Sequence, residues 1–328
     1  MSWYFQTGKE SDVVMISKIA LSRNLSQFNF YIEEESELEK LENLIQESLL
    51  QIGYVLKFLK IRSMDTKEVQ ILIEKGLIPE EIAQNQNASI LINEEENICI
   101  FLNHENHLNL QVFASGLEID SIANLCIEID EKLQELLKMS KSEKYGYLTA
   151  CPTNVGTGMK ISIILHLPAL IKTKNIKKVT RFVRQFGIEI TKEQNPDIYK
   201  ITNERTLGIT ELDIMKNIKV IAEKIIEQER EARKILTENQ TELEDMVLRS
   251  FGTLTNCKKI SKNEAEELLS NVKLGTDLGI IPELTDSKVR KLYLYIKSAN
   301  LSKSFGQELT ISEENIKRAE IIKNITKE

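Results

Sequence analysis

Proline and glycine are scarce in this chain, five and thirteen in 328 residues, which sets aside collagen-like and low-complexity architectures. The four cysteines (Cys99, Cys126, Cys151, Cys257) lie far apart with no CxxC spacing, so neither a zinc site nor a disulfide framework is predicted. No apolar run reaches the roughly 18 residues of a membrane span. The longest, 161–171, is broken by His166 and Pro168. Residues 1–5 (MSWYF) lack the basic and long apolar stretches of a secretion signal. An excess of positive charge is also missing: 43 Lys and Arg stand against 50 Asp and Glu, a balance of −7. Whole-chain electrostatics therefore gives no support for binding nucleic acid or an anionic membrane. Together these absences lead to the expectation of a reduced cytoplasmic protein.

What is present is an ordinary globular composition in a chain long enough for two domains. The patterning predicts a strand over 12–21 and an amphipathic helix over 36–52, with Leu38, Leu41, Leu44, Ile45 and Leu49 at helical spacing. A strand over 55–61 and a helix over 67–75 follow, the latter stopped at Gly76. Strands at 88–92, 98–102 and 108–113, joined by short polar connections, predict an antiparallel meander with Leu108, Leu110 and Val112 on one face. A helix over 119–137, an apolar run over 161–167, a helix over 176–186 and a hairpin from 187–191 and 198–202 come next. From Thr210 helical patterns take over, at 210–236, 242–254, 263–272, 287–296 and 312–325, with caps expected at Thr210 and Ser312. The polar stretch 236–241 predicts a boundary, giving domains 1–238 and 239–328. The expected class is α+β, an antiparallel sheet flanked by helices and followed by a helical C-terminal domain.

The segment richest in chemistry is 151–158, Cys-Pro-Thr-Asn-Val-Gly-Thr-Gly. A cysteine on a Pro- and Gly-bearing loop between strands suits an anion or a polar substrate. Backbone N–H groups converge in such loops, and local donors lower a thiol's pKa. A structural turn with a small buried cysteine is the other reading.

This loop resembles the CPTN-x-GTG signature of the guanido (phosphagen) kinases, which transfer the γ-phosphoryl of ATP to a guanidinium nitrogen. The flanking Tyr145–Thr149 and His166–Leu170, and later Arg249–Gly252, Asn256–Cys257 and Leu269–Gly279, resemble the bacterial protein-arginine kinase branch and its C-terminal domain. The resemblance runs from Ser11 to Ala319. It implies a guanido-kinase-like catalytic domain over 1–238, a helical C-terminal domain over 239–328, Mg·ATP as co-substrate and arginine in proteins as acceptor.

Such a reaction needs fixed cations around the triphosphate, best supplied by arginine forks. It also needs carboxylates to align the guanidinium and assist its deprotonation. The family supplies about five arginines and two glutamates for this. Here its first arginine pair matches Lys18 and Ala20, with Arg23 retained further on; a third arginine matches Asn109, and a fourth Lys160. A nucleotide-holding histidine matches Gly76. The glycine-rich loop that carries the fifth arginine and the second glutamate is missing, and the chain closes as a short turn over 191–195.

By this resemblance Glu105 and Cys151 are the catalytic candidates, and Glu105 and Asn154 would meet the substrate. Ser17, Lys18, Lys160 and Ser162 would be what is left of the nucleotide site. Arg318, in a stretch similar to the RDxxRA segment that senses phosphoarginine, is the regulatory candidate, although the surrounding 313–319 reads as a solvated helix face. No metal site is expected: on a strand, His104 and His107 would point to opposite faces.

The losses argue against Mg·ATP being held. They lead to the expectation of an inactive or strongly impaired relative serving as a binding or regulatory protein. Its partner would be an arginine-containing protein, an active kinase copy, the family's zinc-binding activator or a second copy of itself, with no nucleic acid and no membrane. The alternative is an active phosphotransferase in which Lys18 and Lys160 replace arginines; a purely structural dimerisation module is a third.

Overall fold

The computed structural model describes residues 2–327. The first part of the chain forms β1 (Val14–Arg23), α1 (Glu35–Gln51), β2 (Lys57–Lys60), α2 (Thr66–Glu74), β3 (Ser89–Ile92), β4 (Ile98–Leu102), β5 (Leu108–Ser115) and α3 (Ile119–Leu136). Then come β6 (Lys141–Ser142), β7 (Gly146–Tyr147), β8 (Met159–His166), α4 (Pro168–Lys172), α5 (Ile176–Arg184), β9 (Ile188–Lys192), β10 (Ile198–Asn203) and α6 (Glu211–Thr237). Helices alone follow: α7 (Gln240–Asn256), α8 (Lys262–Asp277), α9 (Asp286–Tyr295), α10 (Ser298–Phe305) and α11 (Ile311–Lys327).

Eight strands form one sheet in the order β2-β3-β4-β5-β1-β8-β10-β9, antiparallel throughout. The meander expected from the three short polar-linked strands is β3-β4-β5. One face of the sheet is apolar, with Ile19, Leu21, Leu110, Val112, Ile161 and Ile163 packed under α1, α3, α5 and α6. On α1 the residues at helical spacing, Leu38, Leu41, Ile45 and Leu49, supply that cover.

The other face is divided. At the β3–β5 end Ile90, Cys99, Phe101 and Phe113 lie beneath Trp3 and α2. At the β8–β10 end the C-terminal helices pack on Met15 and Ile198. Between these two caps register aligns a polar stripe: Lys18 lies opposite Phe113 and Ser162, Ala20 opposite Gln111 and Lys160, and Ser22 opposite Asn109.

A buried charge network joins the C-terminal helices to the rest. Lys273 Nζ donates to the carbonyl of Ser11 (3.1 Å) and to Asp277 (3.0 Å). Arg290 donates through Nη1 to the carbonyl of Met15 (2.8 Å) and through Nε to Asp286 (2.7 Å). Arg233 donates to the carbonyl of Asp12 (2.8 Å) and to Glu229 (3.0 Å), and Glu229 in turn accepts the N–H groups of Ala169 and Leu170 at the start of α4. Further along the seam Ser270 donates to Asp197 (2.6 Å), so the nearby Nε2 of neutral His166, 2.9 Å away, is the donor to Ser270. At the far end the Glu74 carboxylate of α2 accepts the first-turn N–H groups of Ala299 and Asn300, capping α10 from outside. Gly275 is required where α8 crosses α7, because a Cβ there would sit 2.2 Å from Val247 Cγ1.

Several expectations shift. The first strand starts at Val14 rather than residue 12, since Val13 and Val14 donate to the Glu10 carbonyl in a turn. The last helix is capped by Thr310, not Ser312: Thr310 N–H donates to Glu313 (2.8 Å) and Glu313 N–H returns to Thr310 Oγ1 (3.4 Å), a capping box. Helices α4 and α10 are short and had no periodicity long enough to read.

His166 makes the seam sensitive to pH. Burial, with Lys273 and Arg233 nearby, holds its imidazole neutral well below the usual histidine range. The unfolded chain therefore takes up this proton first, near pH 6.5, and stability falls as pH drops below that value. Urea unfolding at pH 5.5 should show a loss of about 1 kcal/mol relative to pH 7.5 from this residue, and His166→Gln should remove that share of the difference.

Candidate functional site

The loop 151–158 is built on a buried arginine. Arg23, at the end of β1, is 2% exposed and forks onto Asp130 of α3 through Nε (2.9 Å) and Nη2 (2.8 Å). Its Nη1 donates to the carbonyls of Ser22 and Thr157 (both 2.9 Å), and its guanidinium lies 3.6 Å from the centre of the Tyr147 ring. Both loop glycines have steric reasons. Gly158 (φ +65°) would place a Cβ 2.6 Å from Arg23 Nη1, and Gly156 (φ +111°) 2.2 Å from the Thr206 carbonyl. Thr206 closes the loop from the other side by donating to the carbonyls of Thr153 and Val155. Arg23, the one family arginine retained in β1, is thus a structural group of the loop's foundation and does not face the polar stripe.

On this base Cys151 is partly exposed, its Sγ 3.0 Å from Thr153 Oγ1, and Asn154 is buried in the turn after Pro152. Glu105 is the exposed residue of the β4–β5 connection, with no ion pair among the described residues. Asn106 brings the two loops together: its Oδ1 accepts from Ala150 N–H (2.9 Å) and from Asn24 Nδ2 (3.0 Å). The structure therefore sets Glu105, Cys151 and Asn154 in adjoining loops at one end of β1, β5 and β8.

Lys18, Lys160 and Ser162 lie on the polar stripe, but their groups are differently placed. Lys18 is half-buried, its Nζ 5.4 Å from the centre of the Phe113 ring with no anion against it, and burial pulls its pKa down to about 8. Lys160 spends its ammonium on the carbonyls of Asn203 (3.0 Å) and Glu204 (2.9 Å). Ser162 pairs with Thr202 at 2.9 Å. Ser17 does not join them. Strand alternation turns it to the opposite face, where its buried hydroxyl donates to the Gly116 carbonyl (2.7 Å).

Lys200 escaped sequence reasoning. Register places it on the same face beside Ile164, ion-paired with Glu193 (3.2 Å) in the short β9–β10 turn; the alternation of β10 was the available signal. Beside this face a cavity of about 570 Å³ is walled by Ile16, Ile164 and Gly76 on one side and by Arg290 and Tyr293 on the other.

Two other expectations are corrected. His104 and His107 lie in an irregular turn, not on a strand. His107 is structural: Nδ1 accepts from Leu25 N–H (2.9 Å), which leaves Nε2 to donate to the Asn29 carbonyl (2.7 Å). Among the described residues no cluster of His, Cys, Asp and Glu has the makings of a metal site, and no helix is long and apolar enough to cross a membrane.

Arg318 is not on a solvated face. It is 1% exposed and donates to the carbonyls of Ile296 (2.7 Å) and Ile260 (3.2 Å), to Asn315 (2.8 Å) and to Glu314 (2.9 Å). As a regulatory candidate it is already committed, because each of its three guanidinium nitrogens donates within the protein.

Comparison with known proteins extends the match to the whole chain. Residues 37–232 match the family described as ATP:guanido phosphotransferase, C-terminal catalytic domain, and residues 240–328 match the protein-arginine kinase McsB C-terminal domain. The protein-arginine kinase of Halothermothrix orenii is 39% identical over 98% of this chain and 95% of its own, and that of Bacillus subtilis 34% identical over 98% and 92%. In fold the chain is similar to the duplicated taurocyamine kinase from Schistosoma mansoni (TM-score 0.60, 20% identity, 72% of this chain and 36% of that one). It is also similar to lombricine kinase (TM-score 0.57, 19% identity, 68% of each chain).

Two measurements test this geometry. Arg23→Ala leaves Asp130 charged and buried, and should cost about 3–5 kcal/mol in denaturant unfolding. Thiol labelling under native conditions should modify Cys151 first. Cys257 follows, its thiol raised by partial burial; Cys99, pushed up to about 12 by burial, and Cys126, raised further still, should react only on unfolding.

Proposed function

The chain belongs to the ATP:guanido phosphotransferase family, in its protein-arginine kinase branch, and on that premise we propose that it is a binding or regulatory protein with phosphoryl transfer lost or strongly impaired. The observation that carries this reading is the charge on the polar stripe of the sheet. No arginine of the strands faces that stripe, and of its two lysines nearest the loop one is committed to backbone carbonyls while the other rests over a ring.

Several features support it. Arg23 is consumed by Asp130. Asn109 donates to Ser22 Oγ (3.0 Å) and adds no charge. The β9–β10 connection is a tight turn whose Asn195 and Asp197 are tied to Glu266 and Ser270 of α8, which leaves no glycine-rich loop to reach over a triphosphate. Loss of a single preorganised donor typically slows such a reaction by about 10²–10³, and several losses compound even without full additivity.

The guanidinium side is better preserved. Glu105 offers an exposed, unpaired carboxylate in a loop that adjoins the one carrying Cys151, and an arginine side chain of another protein is the natural counter-ion for it. The proposed role is therefore recognition of arginine-bearing protein without modification of it.

Calorimetric titration with Mg·ATP is expected to show no saturable binding up to about millimolar concentration, and no phosphate should appear on arginine in a mixed protein substrate. A micromolar Kd together with phosphorylated arginine would overturn the proposal.

A further inference from the structure

The strongest feature outside the site is a block of positive charge on the helical side of the sheet. The stretch 172–184 holds six cations (Lys172, Lys174, Lys177, Lys178, Arg181, Arg184) and no acid, in a chain whose balance is −7. All six are exposed, and none makes a side-chain hydrogen bond or ion pair among the described residues. That contrasts with neighbouring α6, where three of four lysines, Lys219, Lys224 and Lys234, each meet a carboxylate.

The helix dipole favours Arg181 and Arg184, which lie in the last turn of α5, but local physics supplies no reason for the rest of the arrangement. Lys177 and Lys178 stand in the first turn of α5, where the helix dipole favours acids, and the Asn175 side chain makes no capping bond. Lys177 with Arg181, Lys178 with Arg181, and Arg181 with Arg184 are like charges three or four residues apart, each pair unfavourable to the helix. Val179 and Val183 already anchor α5 to the core, so the cations are not needed for packing.

Beside them runs a groove of about 720 Å³ between α5 and α6, with Phe182, Phe186, Val220 and Ile221 as its apolar wall, Lys216 on its α6 edge, and Glu223 and Glu227 there too, the latter paired with Lys224. Phe186 is 54% exposed and Val220 62%. Cations flanking an open apolar groove fit a partner that carries negative charge and an apolar side chain together.

We propose that this surface docks an acidic segment of a partner protein, with one aromatic or aliphatic side chain seated between Phe186 and Val220 and carboxylates against Lys177, Lys178 and Arg181. A short acidic segment contacts the patch alone. A nucleic acid or a membrane would extend beyond it, and outside these six cations the chain's balance of −7 falls to −13, which disfavours an extended polyanion. The site lies across the sheet from the polar stripe and is independent of any phosphoryl transfer.

The test is fluorescence anisotropy with a labelled peptide of Asp and Glu residues around one central Phe. Saturable binding that weakens with salt is expected, about tenfold weaker in Lys178→Glu/Arg181→Glu and weaker again when the peptide's Phe is replaced by Ser. The same double variant should keep its melting temperature, because relief of repulsion and an acid at the helix start offset the loss of the last-turn cation Arg181. Four outcomes would overturn the proposal: affinity unchanged in the variant; indifference to the peptide's Phe; tighter binding of oligo-dT or phosphatidylserine vesicles; or salt-sensitive self-association abolished by the same substitutions, which would make the occupant a second copy of this chain.

Discussion

The buried pair of Arg23 and Asp130 is the constraint on which the architecture of the site rests. One guanidinium ends the central strand, is held by a carboxylate from α3, carries two backbone carbonyls and packs under Tyr147. Tyr147 is fixed in turn by donating to Gln134, which itself donates to Asp130. Each of the three guanidinium nitrogens is engaged, and such pairing is the condition under which a buried ion pair is tolerable. The loop 151–158 inherits its shape from that cluster, and its glycines are there because the arginine and Thr206 leave no room for a Cβ.

A second cluster performs the same service between the sheet and the C-terminal helices. Lys273, Arg290 and Arg233 donate to the carbonyls of Ser11, Met15 and Asp12 respectively, so the entry to the central strand is pinned by cations from three different helices. Directional bonds of this kind give the seam a defined geometry that apolar packing alone would leave looser. Their seam also takes in the short turn after β9, since Asp197 accepts from Ser270, which is bonded in turn to His166.

Much of this was legible in the residues. Alternation and helical spacing identified the central sheet and the long helices, because a two-sided sheet with one apolar face imposes period two on β5 and period 3.6 on α1. What escaped depends on tertiary geometry. Ser17 and Lys18 are neighbours in sequence, and only the pairing of β1 decides which of them faces the polar stripe. Arg23 shows in sequence only as the arginine retained in the first strand; its partner Asp130 lies 107 positions away and nothing local announces it. Arg318 sits in a strongly charged stretch, which favours a solvated reading, yet its guanidinium caps carbonyls from two other segments. Lys160 kept its charge, but the carbonyls that absorb it belong to β10 and the residue after it.

The pairing of Glu314 with Arg318 on one turn of α11 has a consequence for any free anion that approaches it. The carboxylate is tethered a single helical turn from the guanidinium and held there by the helix itself. It therefore behaves as a competitor of permanently high effective concentration, present in every molecule and impossible to dilute. A soluble anion must compete with that tethered group, which raises the concentration it needs by a constant factor.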